Sequence, residues 1–168
     1  MKQGALLLLA VWLGLSFAGC RTLGPASHAS LPRCESPLVH TAAMGGGFHA
    51  RYAVRVRYGD VDQRFTLVAE LAGGRLVLVA LGPFGAEIFA LVQEGREVAL
   101  AGPVLPGFPV PPRNVLGDLH GLRFLGAASL LRDGVAKLRS CGSVTSFALV
   151  EERRPDPGGE PASTPPDR

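Results

Sequence analysis

The sequence predicts a mainly β protein, a curved antiparallel sheet or incomplete barrel with one short helix as a partial lid. Three observations carry this expectation. Five apolar stretches between residues 52 and 100 are separated only by short turn signals, two more follow residue 133, and one segment alone has helical spacing. Strands in runs, without helices between them, describe an antiparallel sheet rather than alternating βαβ units.

The first strand is the clearest. Tyr52, Val54, Val56 and Tyr58 alternate with Ala53, Arg55 and Arg57, which gives one dry and one wet face. Gly59-Asp60 ends it, and Phe65, Leu67, Ala69 and Leu71 alternate with Arg64, Thr66, Val68 and Glu70 in the second. Gly73-Gly74 is a hairpin signal. Leu76 to Leu81 and Glu87 to Val92 flank the turn Gly82-Pro83-Phe84-Gly85, and Glu94-Gly95 leads into a short strand near Glu97 to Leu100.

Gly102 to Pro112 holds five prolines in eleven residues, which excludes a central strand or a helix interior there. Val115, Leu116, Leu119 and Leu122 then recur at helical spacing, with Asn114 expected as N-cap and Gly117 and Gly121 as weak points. Two strands, Gly134 to Ser140 and Val144 to Glu151, turn around Gly142 and complete the sheet.

The ends read differently. Lys2 followed by the apolar run Ala5 to Leu15 has the form of a signal peptide over residues 1–19, too short for a span of about 20 residues. Phe17-Ala18-Gly19-Cys20 resembles a lipobox, so Cys20 is the expected lipidation site and tethers the chain to a membrane; Arg21 after it favours the outer membrane. Residues 20–46, rich in Gly, Pro, Ser and Ala, are expected as a flexible linker. Residues 47–152 form a single antiparallel β domain and 153–168 a disordered tail. With Cys20 lipidated, Cys34 and Cys141 remain, either as a disulfide in an oxidising periplasm or as two unpaired thiols.

Charge and motifs exclude several functions. The net charge is +3 and the 17 basic residues are dispersed along the sequence, so no nucleic-acid partner is expected. His28, His40, His49 and His120 form no pair at metal-ligand spacing, and no nucleophile elbow, phosphate loop or dinucleotide fingerprint occurs. Carboxylates such as Asp60, Asp62, Glu70 and Glu87 fall in turns or on wet strand faces. The expectation is a protein that is not an enzyme and has no cofactor, metal or catalytic residue.

The stretch from Leu76 to Leu91, two apolar strands around Pro83-Phe84-Gly85, resembles small outer-membrane lipoproteins of unknown function often encoded near aryl polyene biosynthesis genes. More distantly it is similar to LolB and LolA of the lipoprotein-sorting pathway, over roughly Arg51 to Phe124. The resemblance implies an incomplete barrel with a helical lid, whose hydrophobic concave sheet binds or inserts an acylated cargo at the periplasmic face of the outer membrane. Tyr52, Val54, Val56, Phe65, Leu67, Leu78, Phe89 and Leu91 would then line the ligand site, unless they are plain core. Gly82, Pro83, Phe84 and Gly85 would be a membrane-facing loop with Phe84 as its apolar tip, or Phe84 folds back on the sheet edge. The alternative reading is an accessory subunit of an envelope assembly without a ligand cavity, docking an envelope protein through Pro103 to Pro112 with Phe108 exposed.

Overall fold

A computed structural model describes residues 31–127, 129–130 and 134–154. The expected signal peptide, Cys20 and most of the tail lie outside these residues. The elements run β1 (Phe48–Tyr58), β2 (Val61–Ala72), β3 (Arg75–Leu81), β4 (Glu87–Glu94), β5 (Glu97–Leu100), α1 (Pro112–Arg123), β6 (Ser129–Leu130), β7 (Val135–Ser140) and β8 (Ser143–Arg153).

All strands join one antiparallel sheet in the order β5-β4-β3-β2-β1-β8-β7-β6. The sheet is open, with β5 and β6 as its edges. Period-two alternation sets the inward face: Phe48, Ala50, Tyr52, Val54 and Val56 on β1, Phe65, Leu67, Ala69 and Leu71 on β2, and Leu76, Leu78 and Ala80 on β3 are all buried. Strand β1 begins at Phe48 and β2 at Val61, earlier than the sequence pattern marks, because Phe48–Arg51 pair with Val68–Leu71 and Asp62 and Gln63 pair with Arg57 and Val56 in unbroken register. Two-residue β6, paired with β7, was not expected from the sequence.

Helix α1 begins at Pro112, not at Asn114: Pro111 is the N-cap, and proline at the first helical position gives up an N–H that would have no partner. Asn114 to Gly121 are buried without a break, so the helix is enclosed on both sides. The sheet covers one side. The other is covered by residues 31–46, expected as linker but folded here as a strap along the helix, with Leu31, Cys34, Thr41 and Met44 buried. The layers are therefore sheet, helix and strap, and α1 is a middle layer rather than an exposed lid.

The strap explains the helix glycines. A Cβ on Gly117 would come within 2.6 Å of Ser36 Oγ, and one on Gly121 within 2.5 Å of Leu138 Cδ2. Each glycine lets a neighbouring segment approach the helix backbone. α1 reaches both β4 and β7, which a flat sheet would hold roughly 24 Å apart at the usual strand spacing, while a 12-residue helix is only roughly 18 Å long. The flanks of the sheet accordingly curl towards the helix.

Candidate functional site

The eight residues proposed to line a ligand site are brought together on one face. Tyr52, Val54, Val56, Phe65, Leu67, Leu78, Phe89 and Leu91 are all buried, and they share one core cluster with Val115, Leu116 and Leu119 of α1, Val110 of the Pro-rich segment and Leu31 and Met44 of the strap. Side chains from the sheet, the helix, the Pro-rich segment and the strap thus meet in this one cluster. Phe108, expected to be exposed, instead packs edge-on against Phe65 at 5.7 Å and lies 6.0 Å from Phe89, because the Pro-rich segment folds back over the end of the sheet.

Polar groups hold the three layers together. Asn114 donates from Nδ2 to Pro32 O at 2.8 Å and accepts from Cys34 N at 3.1 Å, so the side chain expected to cap the helix clamps the strap instead. His120 Nδ1 accepts from Val39 N at 2.9 Å, which leaves Nε2 to donate to Gln93 Oε1 at 2.9 Å. Gln93 Nε2 in turn donates to Val39 O and Gly95 O, each at 2.8 Å. One neutral imidazole thus joins α1, β4 and the strap, and burial pushes its pKa from 6.5 down to about 4.

Asp118 is buried and accepts from Ser140 Oγ at 2.6 Å and from Thr145 Oγ1; burial raises its pKa while these two hydroxyls oppose the rise. At the helix C-terminus, Arg123 donates to Tyr52 Oη and, at 3.0 Å, to Glu152, and its guanidinium lies 3.9 Å from the centre of the Phe48 ring. Cys34 and Cys141 are joined in a disulfide, with Cα atoms 6.2 Å apart, which fastens the strap to the β7–β8 turn. Every one of these groups has a structural partner, an arrangement that locks layers together. Among the described residues, no three His, Cys, Asp or Glu side chains converge on a metal-sized point.

Two surface features stand apart from this interior. Phe84, at the β3–β4 turn, is 100% exposed, so it projects as a tip and does not fold back. Gly85 supplies the positive φ of 78° that closes this turn, and Gly85 N bonds to Gly82 O at 3.0 Å. On the outward face of the sheet, a depression of about 610 Å³ is floored by small side chains, Ala53, Thr66, Ser146 and Ala148, and edged by Arg55, Arg57, Arg64 and Lys137, with Gly82 and Pro83 at its rim.

Residues 49–122 match the model of a family described as Protein of unknown function (DUF3261). The match supports an uncharacterised family and spans β1 to the end of α1, less than half of the 168-residue chain. It takes in Phe84, Gln93, Asn114 and His120, and leaves out the strap cysteine and β8. No curated protein matches the chain.

The residues that sequence reasoning missed were Gln93, Asp118 and Arg123 as inter-layer ties, and the outward arginines as a group. A signal existed for the arginines: Arg55 and Arg57 are two apart in an alternating strand and so share a face. Gln93 carried one too, as a polar residue at an inward position of an apolar strand.

Proposed function

We propose that the chain is a non-catalytic, lipid-anchored protein of the bacterial outer membrane, facing the periplasm, that works at the bilayer surface through its Phe84 turn. The full exposure of Phe84 at the tip of a glycine-bounded turn carries this reading. A large aromatic ring held in water is unfavourable by roughly 2 kcal/mol relative to burial, so a membrane or an apolar partner surface gives it a place to go. The inward side chains that share one cluster with the helix and the strap support a module that docks.

The full chain with W12F and F84W has a single tryptophan, at position 84. Reconstituted in vesicles, its emission should shift to the blue and be quenched by brominated acyl chains. Emission characteristic of water, unaffected by brominated lipid, would refute the reading.

A second reading, an acylated cargo held against the sheet, is favoured by the apolar cluster on the inward face beneath α1. It requires the helix and strap to move away first. Mass spectrometry of the purified chain for a retained acyl chain, with and without reduction of the disulfide, separates the two readings.

A further inference from the structure

The cations on the outward face are not spread evenly. At the end of the sheet where β1 turns into β2, the register lines up Arg64 of β2, Arg55 of β1, Ser146 of β8 and Lys137 of β7 across four adjacent strands. Two residues further along the same strands, Asp62, Arg57, Val144 and Arg139 form a parallel row. Five basic side chains thus share one patch with Asp62 and, in the hairpin turn, Asp60. Towards the other end of β1 the charges balance: Arg51 stands opposite Glu151, and His49 opposite Glu70.

Arg55 and Arg64 are direct cross-strand neighbours, an arrangement of like charges that weakens a sheet unless something neutralises it. Asp62 does so in part, through a two-pronged salt bridge to Arg55, and the arginines at 55, 64 and 57 together hold its carboxyl below the ordinary range, with the Arg55 hydrogen bonds contributing most. Asp60 and Asp62 together do not match the charge of Arg55, Arg57, Arg64 and Arg139. On the other side of the first row from the second, the next outward row reads Thr66, Ala53, Ala148 and Val135, a small and weakly polar floor that lets a compact anionic group settle beside the guanidinium groups.

We infer that this outward basic depression is a binding site for the phosphate groups of anionic membrane lipid. Charge complementarity selects an anion, and position selects a lipid surface: Gly82 and Pro83 line the depression and lead directly into the exposed Phe84 tip, so one approach to a bilayer presents both. The planar guanidinium groups of Arg55, Arg57 and Arg64 suit phosphate oxygens. The choice of a lipid surface rests on the Phe84 reading, while the anion site itself stands on the paired arginines, so F84A separates the two.

The test uses the full chain in neutral maltoside micelles, titrated with phosphatidylglycerol, phosphatidylcholine or inorganic phosphate and followed by amide shifts of residues 53–57 and 144–148. Phosphatidylglycerol should give saturable shifts that weaken as salt rises, while phosphatidylcholine gives none. R57A and R64A should each weaken the apparent affinity about fivefold, and the double variant about 25-fold. Unmoved amides at Leu78 and Leu91 report that the variants stay folded, and F84A should leave the response in place. Equal response to phosphatidylcholine, saturation by inorganic phosphate at the same concentration, or tighter binding of a DNA duplex would each overturn the assignment.

Discussion

Breaking the bond between Cys34 and Cys141 should destabilise this fold more than any single side-chain change. The two residues are 107 apart in sequence, so the bridge closes a ring that contains almost the whole sheet. For a ring of that size, the chain-entropy relation gives about 16 cal/mol/K, or about 4.8 kcal/mol at room temperature. At about 2.1 cal/mol/K of unfolding entropy per residue, a body of roughly 120 residues loses roughly 19 °C in its midpoint. Part of this is returned by the backbone: Cys141 holds a φ of 50°, a left-handed conformation that costs a non-glycine residue on the order of 1 kcal/mol. C34A/C141G should therefore melt above C34A/C141A by roughly 4 °C. Thermal unfolding followed by circular dichroism, on the full chain with and without reductant, measures both differences. A midpoint for C34A/C141A within about 5 °C of the parent would show that the strap is held by its other contacts and that ring closure contributes little.

Two further predictions concern α1. Because burial lowers the pKa of His120 from 6.5 to about 4, the stability owed to its neutral form is complete above pH 6.5. It is lost as the pH falls towards 4, by about 3 kcal/mol. Asp118 has the opposite sign, since burial raises its pKa and its contribution falls as the pH rises through that value. H120Q should flatten the acid decline between pH 6.5 and 4 in denaturant titrations, and an undiminished decline would remove His120 as its source. G117A and G121A should both destabilise, although alanine is the better helix former by about 1 kcal/mol. G117A should cost more, on the order of 3 kcal/mol against 1, because it meets the Cβ and Oγ of Ser36 where G121A meets the movable end of Leu138. Equal or improved midpoints would mean that Ser36 of the strap, for G117A, and Leu138 of β7, for G121A, give way easily.

The sheet was legible because alternation along β1 and β2 reports a physical fact, one face dry and one wet, over five residues or more, and because apolar runs flank the turn between β3 and β4. Tyr52, Val54, Val56, Phe65 and Leu67, chosen from the alternation, lie in the core, and Tyr58 at its edge is half-buried. The Phe84 tip was one of two open alternatives, since a turn sequence sets where the chain reverses and not which way a side chain leaves it. The strap was illegible for a different reason. Residues 31–46 have the composition of a linker, and what orders them is Asn114, His120 and Cys141, each about 80 to 107 residues away. Asn114 drew the wrong role because an amide near a helix start satisfies a local N–H in most sequences, whereas here proline already begins the helix. The basic patch was hidden by averaging: a net charge of +3 says nothing of five cations that strand pairing gathers at one end of the sheet.

The order of the strands bears on how the chain reaches this state. β1 sits between β2 and β8, so the centre of the sheet is assembled from the beginning and the end of the domain, with His49 opposite Arg153 and Arg57 opposite Val144. A growing chain can form the β1–β2–β3–β4 meander as it emerges, but one side of β1 stays unpaired until the last strand has been made. Contacts of such long range are slow to form, and in the interval β1 offers an open edge to any passing strand. The eleven residues of β8 thus act as the closing piece. A ribosome stalled before residue 143 would display a half-sheet ready to pair with the wrong partner, and truncation within β8 should leave aggregates rather than a smaller folded protein.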